Sequence, residues 1–351
     1  MTALHEIRSK NSASTGSYAE VETRAANLNI PLSAHIELTS KCNLKCVHCY
    51  LASKRNKKEL STDEFKTLFS ALAELGTLYL ALSGGEIFVR PDFLTLARFA
   101  RQKNFALRLF TNGTLINEKI ARQIAELYPA LVEISLYSLS DKIHDQITTV
   151  SGSHQKTMAA IEFLTRQNIN LVLKTVVMQQ NYAGVADVEA YAKQIGAIFR
   201  ADPVISPRED GSKAPVNYRI NNEKLSHFFC NANYNWQLHY HKPEEPLCNA
   251  GRALISINAF GDVFPCVRIQ NCAGNIRENS VYNIWHHSGV MSELRALTWG
   301  KLDRCLQCEN LPFCSPCPGL SLLEHGDIRV PARECCRQAE IRKNSIQINF
   351  S

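Results

Sequence analysis

The sequence AHIELTSKCNLKCVHC, residues 34–49, joins a short apolar strand to three closely spaced cysteines, Cys42, Cys46 and Cys49. Alternating apolar residues predict a β-strand over residues 34–39, so the cysteines follow on a loop at its carboxyl end. Three thiolates at this spacing can bind a [4Fe–4S] cube and leave its fourth iron without a protein ligand. An open position indicates a reactive site, because structural sites use four protein ligands. The alternatives are a partial zinc site or a helix whose cysteines only pack.

Composition excludes several classes of protein. Hydrophobic residues make up 45% of the 351 residues and charged residues 21%, which excludes global disorder. The net charge of +6 is too small to indicate a nucleic-acid partner. Residues 1–29 lack the apolar segment of a secretory signal, and the most apolar stretch, residues 68–82, is shorter than the ~20 residues of a membrane span. We therefore expect a cytoplasmic protein with no membrane partner, whose 13 cysteines bind metal rather than form disulfides.

The middle of the chain alternates between helical and strand patterns. Helical spacing of apolar residues follows the capping candidates Ser61, Asp92 and Asn117, and a further helix is predicted to start at Ser153. Short apolar strands lie between them, at residues 78–82, 105–110, 131–136, 171–177 and from 197 onward. This alternation predicts parallel βαβ units with right-handed connections. Six units are too few for a closed eight-stranded barrel, so we predict an α/β fold with an open, partial (β/α)6 barrel that binds ligands at the carboxyl ends of its strands.

The distribution of cysteines divides the chain. No cysteine occurs between Cys49 and Cys230, whereas ten lie after residue 229. We predict an N-terminal extension over residues 1–33, the partial barrel over 34–205, a linker rich in Pro, Asn, Tyr and His over 206–246, and a cysteine-rich domain over 247–351. The two cysteine-rich regions indicate two regions that bind clusters, separated by a scaffold.

Polar motifs follow the other predicted strands. They are Ser83-Gly84-Gly85-Glu86 after the second strand, Thr111-Asn112 after the third and Ser135 at the end of the fourth. Each alone is equally typical of a polar turn. Together with Cys-x3-Cys-x-aromatic-Cys, in which His48 takes the aromatic position, they resemble the radical S-adenosylmethionine (radical SAM) enzymes. The resemblance implies that the three cysteines bind a [4Fe–4S] cluster and that S-adenosylmethionine binds to it, in contact with Ser83, Gly84, Gly85, Glu86, Thr111, Asn112, Ser135 and His48.

The chain departs from that family at two places. After Ser135 and the next leucine it has Tyr137-Ser138, where relatives often have Asp-Gly. Many relatives also carry an arginine four residues after the histidine of a His-Asp pair, whereas after His144 this chain has Thr148. The resemblance therefore does not supply the usual cation for the carboxylate of S-adenosylmethionine.

The C-terminal cysteines resemble the SPASM extension of radical SAM enzymes, which carries two auxiliary [4Fe–4S] clusters. The spacing is Cys248-x12-Gly261-x4-Cys266, then Cys272, Cys305-x2-Cys308-x5-Cys314-x2-Cys317 and Cys335-Cys336. The last x2 step is usually x3 in the family. The resemblance implies one cluster on Cys248, Cys266 and Cys317, with Cys272 as a candidate fourth ligand. It implies a second cluster on Cys305, Cys308, Cys314 and either Cys335 or Cys336, with Cys336 favoured. A zinc ribbon on Cys305, Cys308, Cys314 and Cys317 is the alternative.

The resemblance also implies a function. Radical SAM/SPASM enzymes cleave S-adenosylmethionine reductively to a 5′-deoxyadenosyl radical and mainly modify ribosomally made peptides or protein side chains, by crosslinking, epimerisation, oxidation or decarboxylation. Expected partners are such a substrate and an electron donor such as flavodoxin or ferredoxin. Residues 1–33 are too few for a folded binding domain of ~80 residues, so any leader peptide is expected to bind either a separate leader-peptide-binding protein or the barrel mouth. A tetrapyrrole or other small molecule is the alternative substrate, and a non-catalytic zinc or redox module the remote one. No catalytic acid or hydrogen donor is evident.

Overall fold

The computed structural model describes residues 17–51, 57–230, 238 and 240–348, so most of the predicted N-terminal extension lies outside the described residues. Six strands form a continuous parallel array, each hydrogen bonded to the next along the chain. They are β1 (Ser33–Thr39), β2 (Tyr79–Gly84), β3 (Ala106–Thr111), β4 (Leu131–Ser135), β5 (Leu171–Val176) and β6 (Ile198–Asp202). The predicted α/β fold with a partial (β/α)6 barrel is confirmed.

Helices connect these strands. They are α1 (Ser17–Asn27), α2 (Thr62–Glu74), α3 (Phe93–Gln102), α4 (Glu118–Ala125), α5 (Asp141–Thr148), α6 (Ser153–Arg166) and α7 (Val185–Gln194). Helix α5, between β4 and α6, has no counterpart in the sequence-based prediction.

Two of the predicted helix caps are confirmed and one is wrong. Ser61 and Glu64 form a reciprocal capping box at α2, and the Asn117 side chain accepts from the third amide of α4. Asp92 precedes α3 but caps no helix amide. Its carboxylate instead accepts hydrogen bonds from Arg90 at 2.7 Å and Thr62 at 2.5 Å, and these charged and hydroxyl donors compete successfully with the helix amides.

The sheet continues beyond β1 into the cysteine-rich region. Strand β7 (Leu254–Ile257) pairs in parallel with the free edge of β1, and β8 (Asp262–Phe264) and β9 (Gly274–Asn275) add antiparallel strands. The strand order is therefore β6-β5-β4-β3-β2-β1-β7-β8-β9. The remaining helices are α8 (Asn222–Cys230), α9 (Val281–His287), α10 (Gly289–Arg295), α11 (Asp303–Leu306), α12 (Pro318–His325) and α13 (Arg333–Ile348).

The main hydrophobic core lies between the sheet and the helices that connect its strands. Alternate strand residues such as Ile36, Ile134 and Leu173 are fully buried in it. The intervening residues point to the opposite side of the sheet, which we call the inner face. Among the described residues, no helix is long and apolar enough to cross a membrane.

Candidate functional site

The three N-terminal cysteines lie on the loop that leaves the carboxyl end of β1. Helix α5 anchors this loop, because the amides of Lys45 and Val47 donate to carbonyls at the end of that helix, at 3.1 and 3.0 Å. Within the loop, the Cys49 amide donates to the Cys46 carbonyl at 3.1 Å. The cysteine loop is therefore positioned by an element that the sequence did not reveal.

The three thiols are close enough to influence one another electrostatically. Burial, followed by negative charge on Cys49 and Cys42, raises the pKa of the Cys46 thiol to about 12. Burial also raises the pKa of Cys42 and of Cys49. Thiolates, not thiols, ligate metal, so cluster binding at this loop releases protons and supplies the positive charge that the buried thiolates need.

Gly84 and Gly85 let β2 approach the cysteine loop closely. A Cβ on Gly85 would lie 2.1 Å from the Lys41 carbonyl oxygen, and one on Gly84 would lie 2.3 Å from the Thr39 carbonyl oxygen. Gly84 also has a φ of +124°, which side chains disfavour. The Gly85 amide donates to the Thr39 carbonyl at 2.8 Å. These glycines thus hold the backbone just before the cysteines, whatever they do for a cofactor.

Glu86 links three segments of the site. Its buried carboxylate accepts hydrogen bonds from the Thr111 hydroxyl and the Asn112 amide, both at 2.7 Å, and from the Phe88 amide at 3.2 Å. Burial raises its pKa, whereas these donors lower it. The Glu86 amide donates to the Lys41 carbonyl at 2.9 Å. The side chain that was predicted to contact S-adenosylmethionine therefore already joins β2, β3 and the cysteine loop.

The Asn112 side chain faces the cysteine loop. Its amide nitrogen lies 3.0 Å from the Asn43 side-chain oxygen and 3.9 Å from the Cys42 sulfur. Its oxygen accepts from the Thr114 hydroxyl at 2.6 Å. The predicted residues Thr111 and Asn112 are thus brought to Glu86 and Cys42.

His48, Ser135 and Tyr137 gather on the other side of the loop. The Tyr137 hydroxyl lies 4.0 Å from the Cys46 sulfur and is also hydrogen bonded to Ser135. The ring centroids of His48 and Tyr137 are 4.9 Å apart. Burial lowers the pKa of His48 to about 4, so its imidazole is neutral at pH 7. Tyr137, which replaces the usual aspartate, is a contact of the cysteine loop that sequence reasoning missed.

The His-Asp pair has a structural role in this chain. Asp145 accepts from the Gly152 amide, the Ser153 hydroxyl and the His154 amide, at 2.6 to 2.8 Å, and so caps α6 from outside the helix. Thr148 is fully buried, and its hydroxyl lies 2.6 Å from that of Ser153. The position at which relatives carry an arginine therefore offers neither charge nor access.

Cys248, Cys266 and Cys317 form one group in the C-terminal region. Burial, together with negative charge on Cys266 and Cys317, raises the pKa of the Cys248 thiol to about 12. Arg268 is hydrogen bonded to the Cys317 sulfur and lies 3.5 Å from Asp202 at the end of β6. This first auxiliary group thus adjoins the mouth of the partial barrel.

A second auxiliary group contains Cys305, Cys308, Cys314 and Cys336. Burial, together with negative charge on Cys336 and Cys305, raises the pKa of Cys314 to about 12. Cys308 raises the pKa of Cys336 in the same way, after burial. The favoured member of the last cysteine pair is the one that lies with this group.

Three cysteines remain. Cys335 is buried, and its pKa is raised by burial and by charge on Cys317 and Cys314, so it lies between the two auxiliary groups. Cys272 is exposed, with its sulfur 3.3 Å from the Gly274 carbonyl oxygen. Cys230 contacts the carbonyl of Ser345 at 3.7 Å. Cys335 is therefore better placed than Cys272 to act as a fourth ligand of the first auxiliary group.

Cysteine thiolates can bind a zinc ion or an iron–sulfur cluster. Within the described ranges, no three His, Cys, Asp or Glu side chains converge closely enough to hold one metal ion. A zinc ion needs its ligands within about 2.3 Å, whereas a four-iron cube holds its thiolates at separate corners. Groups of three or four cysteine thiols have the donor chemistry of either kind of site.

The inner face carries a cluster of charges that sequence reasoning missed. Glu133 on β4 is fully buried, and one of its oxygens contacts Arg108 on β3 through two guanidinium nitrogens. Lys174 on β5 and Arg200 on β6 each lie 3.6 Å from the same carboxylate. The sequence signal for this charge cluster was the presence of charged residues at alternate positions of apolar strands, because such residues share one face of a sheet.

Two family models match the chain. Residues 36–191 match the model described as "Radical SAM superfamily" and residues 248–318 match "SPASM: Iron-sulfur cluster-binding domain", together more than half of the chain. The chain belongs to the radical SAM superfamily. It is an enzyme of the SPASM type, and the two domains imply [4Fe–4S] clusters and S-adenosylmethionine as cofactors.

Relatives that the chain matches over most of its length have names that indicate different substrates. The chain is 28% identical to an "AdoMet-dependent heme synthase" from Methanosarcina barkeri, over 86% of this chain and 95% of the relative. It is also 28% identical to "Mycofactocin maturase MftC" from Mycolicibacterium smegmatis, over 84% of this chain and 79% of the relative. A match to "Antilisterial bacteriocin subtilosin biosynthesis protein AlbA" from Bacillus subtilis is 27% identical over 84% of this chain and 68% of the relative.

Solved structures share the fold of this radical SAM enzyme. Streptococcus suis SuiB bound to S-adenosylmethionine superposes with a TM-score of 0.67 at 16% identity, over 91% of this chain and 81% of that one. Native anSMEcpe with bound AdoMet and the Cp18Cys peptide gives a TM-score of 0.68 at 18% identity, over 91% of this chain and 98% of that one. At this identity the likeness supports the fold alone.

Proposed function

We propose that this radical SAM/SPASM enzyme generates a 5′-deoxyadenosyl radical and uses it to modify a ribosomally synthesised peptide or a protein side chain. The observation that carries the proposal is the loop at the end of β1, which brings three thiols and not four to one place. When bound there, a [4Fe–4S] cluster and S-adenosylmethionine would supply one-electron reductive cleavage, the source of methionine and of a radical able to take a hydrogen atom from the substrate.

The chain's own residues position this chemistry. Cys42, Cys46 and Cys49 would hold the cluster, leaving one iron for the cofactor. Glu86 and Gly85 fix the loop against β2 and β3 through the hydrogen bonds described above. We assign the predicted contacts Ser83, Gly84, Thr111, Asn112, Ser135 and His48 to S-adenosylmethionine, since they surround the same loop.

The C-terminal thiols would hold two auxiliary clusters beside the barrel mouth. We assign Cys248, Cys266, Cys317 and Cys335 to one, and Cys305, Cys308, Cys314 and Cys336 to the other. Clusters there would carry electrons between the substrate and an external donor such as flavodoxin or ferredoxin, in a cytoplasm that keeps thiols reduced. A separate leader-peptide-binding protein is a further partner to test.

Two sets of relatives support different classes of substrate. Peptide modification is supported by relatives that are named a mycofactocin maturase, a subtilosin biosynthesis protein and a PqqA peptide cyclase. A tetrapyrrole is the second candidate, because the heme synthase relative matches over 95% of its length. Neighbouring genes discriminate them: a short precursor gene favours the peptide, and porphyrin genes favour the tetrapyrrole.

The direct test uses anaerobic, reconstituted enzyme with S-adenosylmethionine, a reductant and either the neighbouring candidate peptide or a porphyrin. Mass spectrometry should detect 5′-deoxyadenosine together with a mass change in the peptide. A mass change in the porphyrin alone would favour the second candidate. The proposal is refuted if neither 5′-deoxyadenosine nor a modified product forms with any substrate.

Cys46→Ala is predicted to abolish cleavage of S-adenosylmethionine, because two thiolates cannot hold the cluster in place. The matched control is Cys230→Ala, since Cys230 joins neither auxiliary group and its thiol lies 3.7 Å from the Ser345 carbonyl oxygen. 5′-Deoxyadenosine is measured by liquid chromatography. Cleavage retained by the Cys46 variant would remove the assignment of the first cluster.

A further inference from the structure

The Tyr137 hydroxyl reaches the cysteine loop from the carboxyl end of β4. Its oxygen lies 4.0 Å from the Cys46 sulfur, at the outer limit for a hydrogen bond to sulfur, and Ser135 is hydrogen bonded to the same hydroxyl. Burial raises the pKa of the Cys46 thiol, and the hydrogen bond from Tyr137 acts in the opposite direction. Because a thiolate carries no proton, the hydroxyl is the donor to an ionised Cys46 and the sulfur is the acceptor.

The neighbours of Tyr137 hold its ring in place on several sides. The residue is buried, and its ring lies 4.9 Å from the His48 ring and 5.3 Å from the His144 ring, measured between centroids. Its backbone amide donates to His144 Nδ1 at 3.4 Å, and its carbonyl accepts from the Asn181 side-chain amide at 2.9 Å. The hydroxyl is therefore directed at the cysteine loop by a packed ring and a bonded backbone.

The surroundings of Cys46 on this side are mostly apolar. Cys46 and Tyr137 pack in one cluster with Ile147, Met178 and Ile205, and these three side chains are buried. In a low-dielectric environment a hydrogen bond is electrostatically stronger than in water. A hydroxyl also donates more strongly to an ionised acceptor than to a neutral one. The contact between Tyr137 and Cys46 should therefore strengthen when Cys46 ligates a cluster as a thiolate.

We propose that the Tyr137 hydroxyl raises the reduction potential of the N-terminal cluster by donating a hydrogen bond to the Cys46 thiolate. This role rests on the assignment of Cys42, Cys46 and Cys49 to that cluster. One electron from an external donor adds negative charge, which the ligating sulfurs share, so a hydrogen bond to one sulfur stabilises the reduced form more than the oxidised form. Tyr137 transfers neither an electron nor a proton, and is a positioning residue that acts through Cys46.

The test compares wild type with Tyr137→Phe, which removes the hydroxyl and keeps the ring. Both proteins are reconstituted anaerobically, and their clusters are titrated with a reductant and followed by electron paramagnetic resonance. The N-terminal cluster is identified as the one whose signal changes when S-adenosylmethionine is added to a separate sample. In the variant, the equilibrium constant for its one-electron reduction should fall about three- to tenfold, which lowers the potential by roughly 30 to 60 mV. The potentials of the auxiliary clusters should not change.

A second measurement detects the hydrogen bond itself. Electron–nuclear double resonance of the reduced N-terminal cluster, in ordinary and in heavy water, should show an exchangeable proton in wild type that is missing in Tyr137→Phe. Tyr191→Phe is the matched control, because Tyr191 is a partly buried tyrosine that packs against the main core from helix α7. The control should match wild type in its potential and in its exchangeable protons.

Three outcomes overturn the proposal. An unchanged or higher potential in Tyr137→Phe would show that the hydroxyl does not stabilise the reduced cluster. A fall in iron content from about twelve to about eight atoms per chain would show that the hydroxyl holds the loop together instead. If no signal of the wild-type enzyme responds to S-adenosylmethionine, the assignment of the N-terminal cluster fails too. That result is distinguishable from failure of the Tyr137 role alone, in which both proteins show a responsive signal at the same potential.

Discussion

At the scale of a residue, Gly85 leaves no room for a side chain beside the cysteine loop. Gly85→Ala would put a Cβ 2.1 Å from the Lys41 carbonyl oxygen, so one of the two backbone segments must move. We predict that the variant loses the N-terminal cluster and keeps the auxiliary ones, with iron falling from about twelve to about eight atoms per chain. Gly289→Ala is the control, because its added Cβ meets nothing within 4 Å. Full iron content in the Gly85 variant would contradict this account.

Substitutions of Arg268 and Asp202 should shift the reduction potential of an auxiliary cluster in opposite directions. The Arg268 guanidinium is bonded to the Cys317 sulfur, and Asp202 lies 3.5 Å from Arg268 on its other side. Positive charge beside a cluster favours its reduced form, and negative charge disfavours it. Arg268→Gln should therefore lower the reduction potential of one auxiliary cluster, and Asp202→Asn should raise it. Each shift should be on the order of tens of millivolts, which corresponds to about 1 kcal/mol. An anaerobic redox titration followed by electron paramagnetic resonance measures both, and shifts of the same sign would indicate general disruption.

At the scale of an element, α5 and α6 are joined by Asp145. Burial alone would raise the pKa of Asp145, but the hydrogen bonds from His154, Ser153 and Gly152 outweigh burial and lower it. Asp145→Ala should cost about 1 kcal/mol at pH 7, the value of a lost helix cap. Because the folded pKa lies below the unfolded one, this contribution is present above pH ~4 and is lost as the pH falls through the folded pKa.

Urea unfolding followed by circular dichroism measures that difference. The difference in the free energy of unfolding between wild type and Asp145→Ala should be constant from pH 7 to about pH 5. It should become smaller below about pH 4. Asp141→Ala serves as the control, because Asp141 is exposed on the same helix and accepts only from the adjacent Lys142 amide among the described residues. A gap that widens in acid would show that Asp145 is not charged in the folded state.

Elements differ in how far the sequence predicts them. The six parallel strands followed from apolar runs and turn signals, since these report burial of short segments directly. Helix α5 was missed because it has only eight residues and its buried face includes the polar side chains of His144 and Thr148. The cap on α3 failed because Arg90 competes for Asp92. For the site, spacing identified the cysteines, but Lys174, Tyr137 and Arg268 became visible only when the sheet placed them beside other segments.

At the scale of the whole molecule, the barrel and the first part of the cysteine-rich region share one core. Strand β7 pairs with the edge of β1, and Ile255 and Ile257 pack in the same core as Ile36. Trp285 on α9 is fully buried in that core, and its indole nitrogen donates to the Asn29 carbonyl at 2.6 Å. A chain that ended at the predicted linker would therefore expose both a strand edge and apolar surface.

This shared core predicts that the two regions unfold together. Trp285→Ala removes a large buried side chain and a hydrogen bond, and should cost about 3–5 kcal/mol. Although Trp285 lies far along the chain from Cys42, the variant should lose the N-terminal and auxiliary cluster signals in a single thermal transition, at a lower temperature than wild type. Tyr282→Ala on the same helix is the control, because Tyr282 is 56% exposed. Two separate transitions, with the N-terminal cluster unaffected by the loss of Trp285, would show instead that the barrel is stable without the strands that extend its sheet.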